Sequence, residues 1–271
     1  MDYICNYHMH TCFCDGKDTV EDMARSAFAK GLTSIGFSGH AYSFFSSEYS
    51  MTEECEKIYR DRVNALKEEY RGRMEVFLGL EVEGQDERDL SDFSPDYVIG
   101  GVHYLLKDGE YLSVDGSNRE FSLLVKRYAD PYEAVKDYYR TVTETQLKRR
   151  PDIIAHLDLV TKFNHGARYF DESDRRYLDS AFEAIDALAG PDRIFEINSG
   201  AAARGYKGRY YPSLPLLKRI RSRGAHIVLS SDAHSCENIV FGFDVMREIA
   251  LEAGFISRLM LTRKGWQELP L

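Results

Sequence analysis

Seven short apolar runs recur along the chain, and helical patterns precede or separate them. The runs are Ile4 to Tyr7, Leu32 to Phe37, Val76 to Leu80, Tyr97 to Val102, Ile153 to Ala155, Arg193 to Ile197 and His226 to Leu229. Each reads as a strand. The first helical unit opens at Thr19, which with Asp22 three residues on resembles a capping box. Val20, Met23, Ala24, Ala27 and Phe28 then recur at helical spacing, and Gly31 supplies a stop. Further helices are expected over Thr52 to Tyr70, Tyr132 to Lys148, Asp171 to Ala189, Pro215 to Arg223 and Val240 to Ala253. Strands alternating with helices imply an α/β fold built on a parallel sheet. No linker rich in Pro, Gly or Ser interrupts the series, so residues 1–271 are expected to form a single domain.

The residues that close each apolar run are more specific than the rhythm. The first run leads to His8-x-His10, the second to Ser38-Gly39-His40, and the third into Glu81-Val82-Glu83. The fourth gives Val102-His103, the fifth His156-Leu157-Asp158, the sixth Glu196-Ile197-Asn198, and the seventh Asp232-Ala233-His234. Six of the eight histidines fall in these motifs; His165 and His226 do not. In a closed parallel barrel, catalytic groups converge at the C-terminal ends of the strands.

Residues i and i+2 of an extended chain point to the same side, so His8 with His10, and Asp232 with His234, are placed to grip an ion together. Imidazole mixed with carboxylate suits zinc, iron or manganese better than magnesium or calcium. Six histidines with Glu81, Asp232, Asp15 and Glu196 are too many for one tetrahedral site, and two or three ions fit the count better. A lone histidine beside an apolar strand is more often structural, and Glu83 and Asp158 read equally well as partners that orient a histidine. Ligand types at the end of every strand are a different matter, because coincidence does not produce them seven times.

The formal net charge is −9 with no basic stripe, which argues against non-specific nucleic-acid binding. An anionic substrate remains admissible, since bound ions add positive charge that side chains do not show. No apolar run reaches the roughly 18 residues of a membrane span. The N-terminal segment lacks the basic and apolar pattern of a secretory signal, so a cytoplasmic location is the expectation. The five cysteines do not suggest a disulfide framework, and no second pair completes a zinc site around Cys12-x-Cys14. Arg168 and Arg204, shortly after the fifth and sixth runs, are candidates to hold a phosphate through paired hydrogen bonds. Lys162 and Arg209 are weaker candidates of the same kind. The long stretch from Tyr104 to Asp152, with a polar loop over Lys107 to Asn118, is a plausible lid.

These motifs, in this order, resemble the polymerase and histidinol phosphatase (PHP) superfamily. The matching pieces are His8-Met9-His10-Thr11, Ser38-Gly39-His40, Gly79-Leu80-Glu81, Gly101-Val102-His103, His156-Leu157-Asp158 and Ser231-Asp232-Ala233-His234. Ile154 to Val160 with Lys162-Phe163, and Glu196 to Gly200 with Arg204, look particularly like the histidinol-phosphate phosphatase branch. The resemblance implies a distorted, TIM-like (β/α)7 barrel with a trinuclear metal centre. It implies one ion on His8, His10, Glu81 and Asp232, a second on Glu81, His103 and His156, and a third on Asp15, His40 and His234. Gly39 and Asp15 depart from the family's common aspartate and histidine at those positions.

The activity so implied is hydrolysis of L-histidinol phosphate, a small phosphate monoester, in histidine biosynthesis. Glu81, His103, Asp232 and His234 are the expected catalytic set. The proton donor to the leaving oxygen stays open between Asp232 and a nearby histidine. Alternatives are a related phosphoesterase acting on nucleotides or phosphotyrosine, and a non-catalytic metal-binding accessory module.

Overall fold

The computed structural model describes residues 5–46, 48–206 and 208–271; Ile4, at the start of the first expected strand, lies outside them. Seven strands form one parallel sheet: β1 (Cys5–Asn6), β2 (Ser34–Phe37), β3 (Glu75–Glu83), β4 (Tyr97–Gly101), β7 (Ile153–Ile154), β8 (Ile194–Asn198) and β9 (His226–Ser230), hydrogen-bonded in that order. Beyond the outer strands, Met9 pairs in parallel with Ala233, through His10 N–H to the Ala233 carbonyl at 2.8 Å. The sheet thereby curls into a nearly closed (β/α)7 barrel, with all seven expected strands in it.

The helices that follow or flank the strands are α1 (Val20–Ala29), α2 (Glu53–Glu69), α3 (Asn118–Val125), α4 (Pro131–Arg149), α5 (Arg175–Leu188), α6 (Gly200–Ala203), α7 (Leu214–Ser222) and α8 (Phe243–Glu252). Thr19 and Thr52 cap the first two, each accepting a hydrogen bond from the backbone N–H three residues on. The expected start of α5 at Asp171 is corrected to Arg175. Asp171 instead accepts from Ser173 N–H in a turn, and Asp174 caps the helix by accepting from Arg176 N–H. The expected start at Val240 moves to Phe243, because a one-turn segment over Cys236–Asn238 and the left-handed Gly242 come first. No helix among the described residues is long and apolar enough to cross a membrane.

Two antiparallel hairpins went unrecognised in the sequence. The first pairs β5 (Tyr104–Lys107) with β6 (Glu110–Ser113) through a two-residue turn at Asp108 and Gly109, both with positive φ. Asp-Gly between two apolar-containing tetrapeptides is a hairpin signal, so the expected loop over Lys107 to Asn118 is in part a strand. The second pairs β10 (Ser257–Thr262) with β11 (Gly265–Pro270).

Strand alternation divides the core. In β3, Val76, Leu78, Leu80 and Val82 face outward against Val20, Met23, Tyr59 and Val63 of α1 and α2. The opposite set, Phe77, Gly79, Glu81 and Glu83, points into the barrel. Inside, Phe77, Tyr7, Tyr97, Ile99, Ile153 and Val228 form a dry lower layer, which Leu259 and Leu261 of β10 close from below. The Tyr7 hydroxyl accepts from Leu261 N–H at 2.8 Å, tying the hairpin to the barrel floor. Tyr97 fills the middle, its hydroxyl donating to the Tyr7 carbonyl.

Neighbouring strands make room for that ring by having no side chain. A Cβ at Gly79 would lie 2.3 Å from Tyr97 Cζ, and one at Gly36 would lie 2.3 Å from its hydroxyl. Gly79→Ala should therefore destabilise the protein by about 2–3 kcal/mol, at the upper end of overpacking effects. Adding Tyr97→Leu should recover part of the loss in urea denaturation; two independent, additive losses would refute the packing argument.

Candidate metal centre

Above the dry layer the interior becomes polar. His8, His10, His40, Glu81, His103, His156, Asp232 and His234 all lie at or just beyond the C-terminal ends of barrel strands, and Asp15 joins them from the loop after β1. The barrel thus brings together all nine residues expected as ligands.

Glu81 is the hub. Its Oε1 lies 2.9 Å from His156 Nε2 and 3.4 Å from His103 Nε2. Its Oε2 lies 3.1 Å from His8 Nε2, 3.1 Å from His40 Nδ1 and 3.4 Å from His10 Nε2. Asp232 Oδ1 stands 3.2 Å from His10 Nε2, and Asp15 Oδ2 stands 3.1 Å from His234 Nε2. Burial alone would push the Glu81 carboxyl up, but His8, His40 and His103 outweigh it and hold it well below the usual range. Asp232 is likewise held low against its burial, first by Arg204 and then by the histidines. Burial drives His40 the other way, down to about 3, with Glu81 opposing.

The donor set fits divalent cations on grounds independent of resemblance. His8 Nε2 and His10 Nε2 are buried among carboxylate oxygens, yet neither makes a hydrogen bond. A buried polar nitrogen without a partner is costly in a finished protein interior and points to a missing one. Three sets have ligand atoms mutually within 4.8 Å: His8, His10 and Asp232; His40, Glu81 and His103; and His10, Asp15, His40 and His234. His10 and His40 therefore belong to more than one set, whereas the resemblance assigned each to a single ion. Gly101 keeps the space open, since a Cβ there would lie 2.7 Å from His103 Cε1 and 2.9 Å from Glu81 Oε1.

A second ring of carboxylates orients the first. His8 Nδ1 donates to Glu196 Oε2 at 2.8 Å, and His103 Nδ1 donates to Glu83 Oε2 at 2.9 Å. These bonds turn each Nε2 inward. Glu196, counted in the sequence among possible ligands, is better described by this supporting place behind His8. It also accepts from His156 N–H and Asn198 Nδ2. Asp158 does not orient a histidine; it accepts from Ser213 N–H instead. Cys14 Sγ lies 3.6 Å from His10 Nδ1, and all five cysteines are free.

A cleft of about 330 Å³ opens onto the cluster, lined in part by Asp15, His40, Glu81, His103, Asp232 and His234. Arg204 reaches it, with Nη2 at 2.9 Å from Asp232 Oδ2 and Nη1 at 3.1 Å from His234 Nδ1. Arg168 does not. It is exposed on the loop before Phe170, its guanidinium 5.5 Å above the Tyr169 ring. The reason is the turn at Asn164, whose side chain accepts from Tyr169 and Phe170 N–H and carries the chain away from the cleft. Lys162, closer in sequence to His156, lines the cleft in its place, while Arg209 is paired with Glu172. Sequence reasoning also missed Asp115, Tyr49 and Glu48, which line the same cleft from the β5–β6 hairpin's exit and the loop after β2.

Comparison with known proteins places this geometry. A PHP domain family model matches residues 6–200. The chain is 32% identical to the "Probable histidinol-phosphatase" of Deinococcus radiodurans, over 91% of this chain and 92% of that one. It is 27% identical to the histidinol-phosphatase of Bacillus subtilis, over 89% of this chain and 97% of that one. Among solved structures, histidinol phosphate phosphatase from Lactococcus lactis, complexed with Zn, L-histidinol and phosphate, superposes with a TM-score of 0.71 at 23% identity, covering 97% of this chain and 98% of that one. At that identity the superposition speaks for the fold.

Removing the Glu196 carboxylate should leave His8 Nδ1–H and His156 N–H buried without an acceptor. Glu196→Ala should then cost about 3 kcal/mol, read as a lower urea midpoint of the metal-free protein. An unchanged midpoint would mean that these bonds do not support the cluster.

Proposed function

The chain belongs to the PHP domain family, and from that premise we propose that it hydrolyses L-histidinol phosphate to L-histidinol and phosphate. The observation that carries this reading is the histidine–carboxylate cluster at the barrel mouth, opening into a cleft whose wall holds Arg204 and Lys162. Support for the substrate comes from the relatives, which match this chain nearly end to end and are named for that activity.

In this reading two or three divalent ions, of zinc, iron or manganese, would occupy the cluster. His8, His10, Glu81 and Asp232 would hold one. Glu81, His103 and His156 would hold the second, and Asp15, His40 and His234 the third, with Glu81 shared. When bound, such ions supply a Lewis acid for the phosphoryl oxygens and lower the pKa of water to make a nucleophile.

The chain's own residues do the rest. Arg204 presents a guanidinium already anchored on Asp232 and beside His234, so it can meet a phosphoryl oxygen without losing its own carboxylate. Lys162 adds a second positive charge on the cleft wall. Glu83 and Glu196 fix the rings of His103 and His8 and so preserve the geometry through turnover. Glu81, His103, Asp232 and His234 form the catalytic set, since all four line the cleft that admits the ester.

The test is phosphate release by metal-loaded protein from L-histidinol phosphate, beside AMP and phosphotyrosine at equal concentrations. We expect at least a hundredfold preference in kcat/KM, about 2.7 kcal/mol of discrimination. Similar weak rates on all three would retain a metal-dependent phosphoesterase and sink the histidinol assignment. Separately, His103→Ala and Glu81→Ala should abolish turnover with circular dichroism unchanged and should bind less metal by elemental analysis; full activity in either would contradict the ligand scheme.

A further inference from the structure

Asp115 is a carboxylate on the wall of a cleft read as taking a phosphate, and its own charge repels that phosphate. It stands in the turn between β6 and α3. The residue before it is tied back to a strand end, Val114 N–H donating to the His103 carbonyl at 2.8 Å. From the segment after β7, Lys162 Nζ donates to the Asp115 backbone carbonyl at 2.7 Å and to Oδ2 at 3.0 Å. Among the described residues no other group donates to this carboxylate, which leaves Oδ1 for something that enters the cleft.

The charge of this wall is informative. Asp115 and Glu48 both line the cleft, and Lys162 balances only one of them. A phosphate ester of a neutral alcohol meets repulsion there and gains nothing. An ester whose organic part carries an ammonium next to the ester carbon gains a partner, because its cation rides close to the phosphate. The partner must then stand near the cluster and be held in place. Asp115 meets both conditions through His103 and Lys162, whereas Glu48 is exposed.

We infer that Asp115 is a specificity-determining residue that receives the ammonium of an amino-alcohol phosphate. This rests on the phosphatase reading above and names the part of the substrate which that reading leaves unassigned. Lys162 then has two duties, holding the Asp115 turn and facing the phosphate. Tyr49, whose ring lies 4.6 Å from that of His40, walls the same space with a flat aromatic surface.

The experiment compares L-histidinol phosphate with its deamino analogue, 3-(imidazol-4-yl)propyl phosphate, on the metal-loaded protein, Asp115→Asn and Asp115→Glu. The unaltered protein should favour the ammonium ester by thirtyfold or more in kcat/KM. Asp115→Asn should shrink that ratio at least tenfold, mainly through KM on the ammonium ester, and Asp115→Glu should restore part of it. An equal loss on both esters would reduce Asp115 to a support for Lys162 and overturn the inference. A ratio near one in the unaltered protein overturns it whether or not either variant folds. Turnover of neither ester, with metal bound, overturns the phosphatase reading itself and this inference with it.

Discussion

A carboxylate buried to 1% exposure in the middle of a barrel is tolerable only where other groups answer its charge. Glu81 has five imidazoles around it, three on one oxygen and two on the other. Those five rings come from the ends of β1, β2, β4 and β7, so the position of Glu81 sets where four other strands must end. Each of its two oxygens faces a different set of imidazoles. Remove that charge and the five imidazoles lose their common counter-charge, while Asp232, Asp15 and Arg204 lose the centre around which they are arranged.

The barrel keeps this arrangement stiff by putting a dry layer directly beneath it. Tyr97, seated against Gly36 and Gly79, fills the width of the interior below Glu81, and the β10–β11 hairpin closes the bottom through Leu259 and Leu261. Water and competing hydrogen-bond partners are excluded from below, and the polar side chains can face only upward. The same alternation that places Phe77 and Glu81 on one face of β3 therefore separates a floor that supplies stability from a mouth that supplies chemistry. Glu83 and Glu196 complete the arrangement by fixing the rings from behind.

Charge on the cleft wall is unevenly spread. Arg204 is bound to Asp232 and Lys162 to Asp115, and all four line the cleft. Each cation is thus held by a carboxylate but keeps a face toward the cleft. This is how a chain with net charge −9 can present positive groups to a phosphate without a basic surface. The β5–β6 hairpin matters here because it returns the chain to the rim just after His103, turning the insertion after β4 into part of the wall.

The alternation of apolar runs with helices, and the histidines and carboxylates closing each run, were legible because each is a local pattern of period two or 3.6 with a chemical marker at its end. They pointed to the seven parallel strands and to eight of the nine residues of the cluster, while the closed barrel and Asp15 followed from the family resemblance. The Asp108-Gly109 hairpin carried a local signal as well and was readable in principle. Distance along the chain was a poor guide on the loops: Arg168 lies only twelve residues beyond His156, yet the Asn164 turn sends it outward, while Lys162 faces in. Asp115 had no sequence marker at all, since its place depends on a hairpin folding back and on a lysine from a segment 47 residues away. Periodicity determines which face of a strand a residue occupies; only the closed tertiary structure decides which loops lean over the opening, because that depends on contacts between segments that are neighbours in space and strangers in sequence.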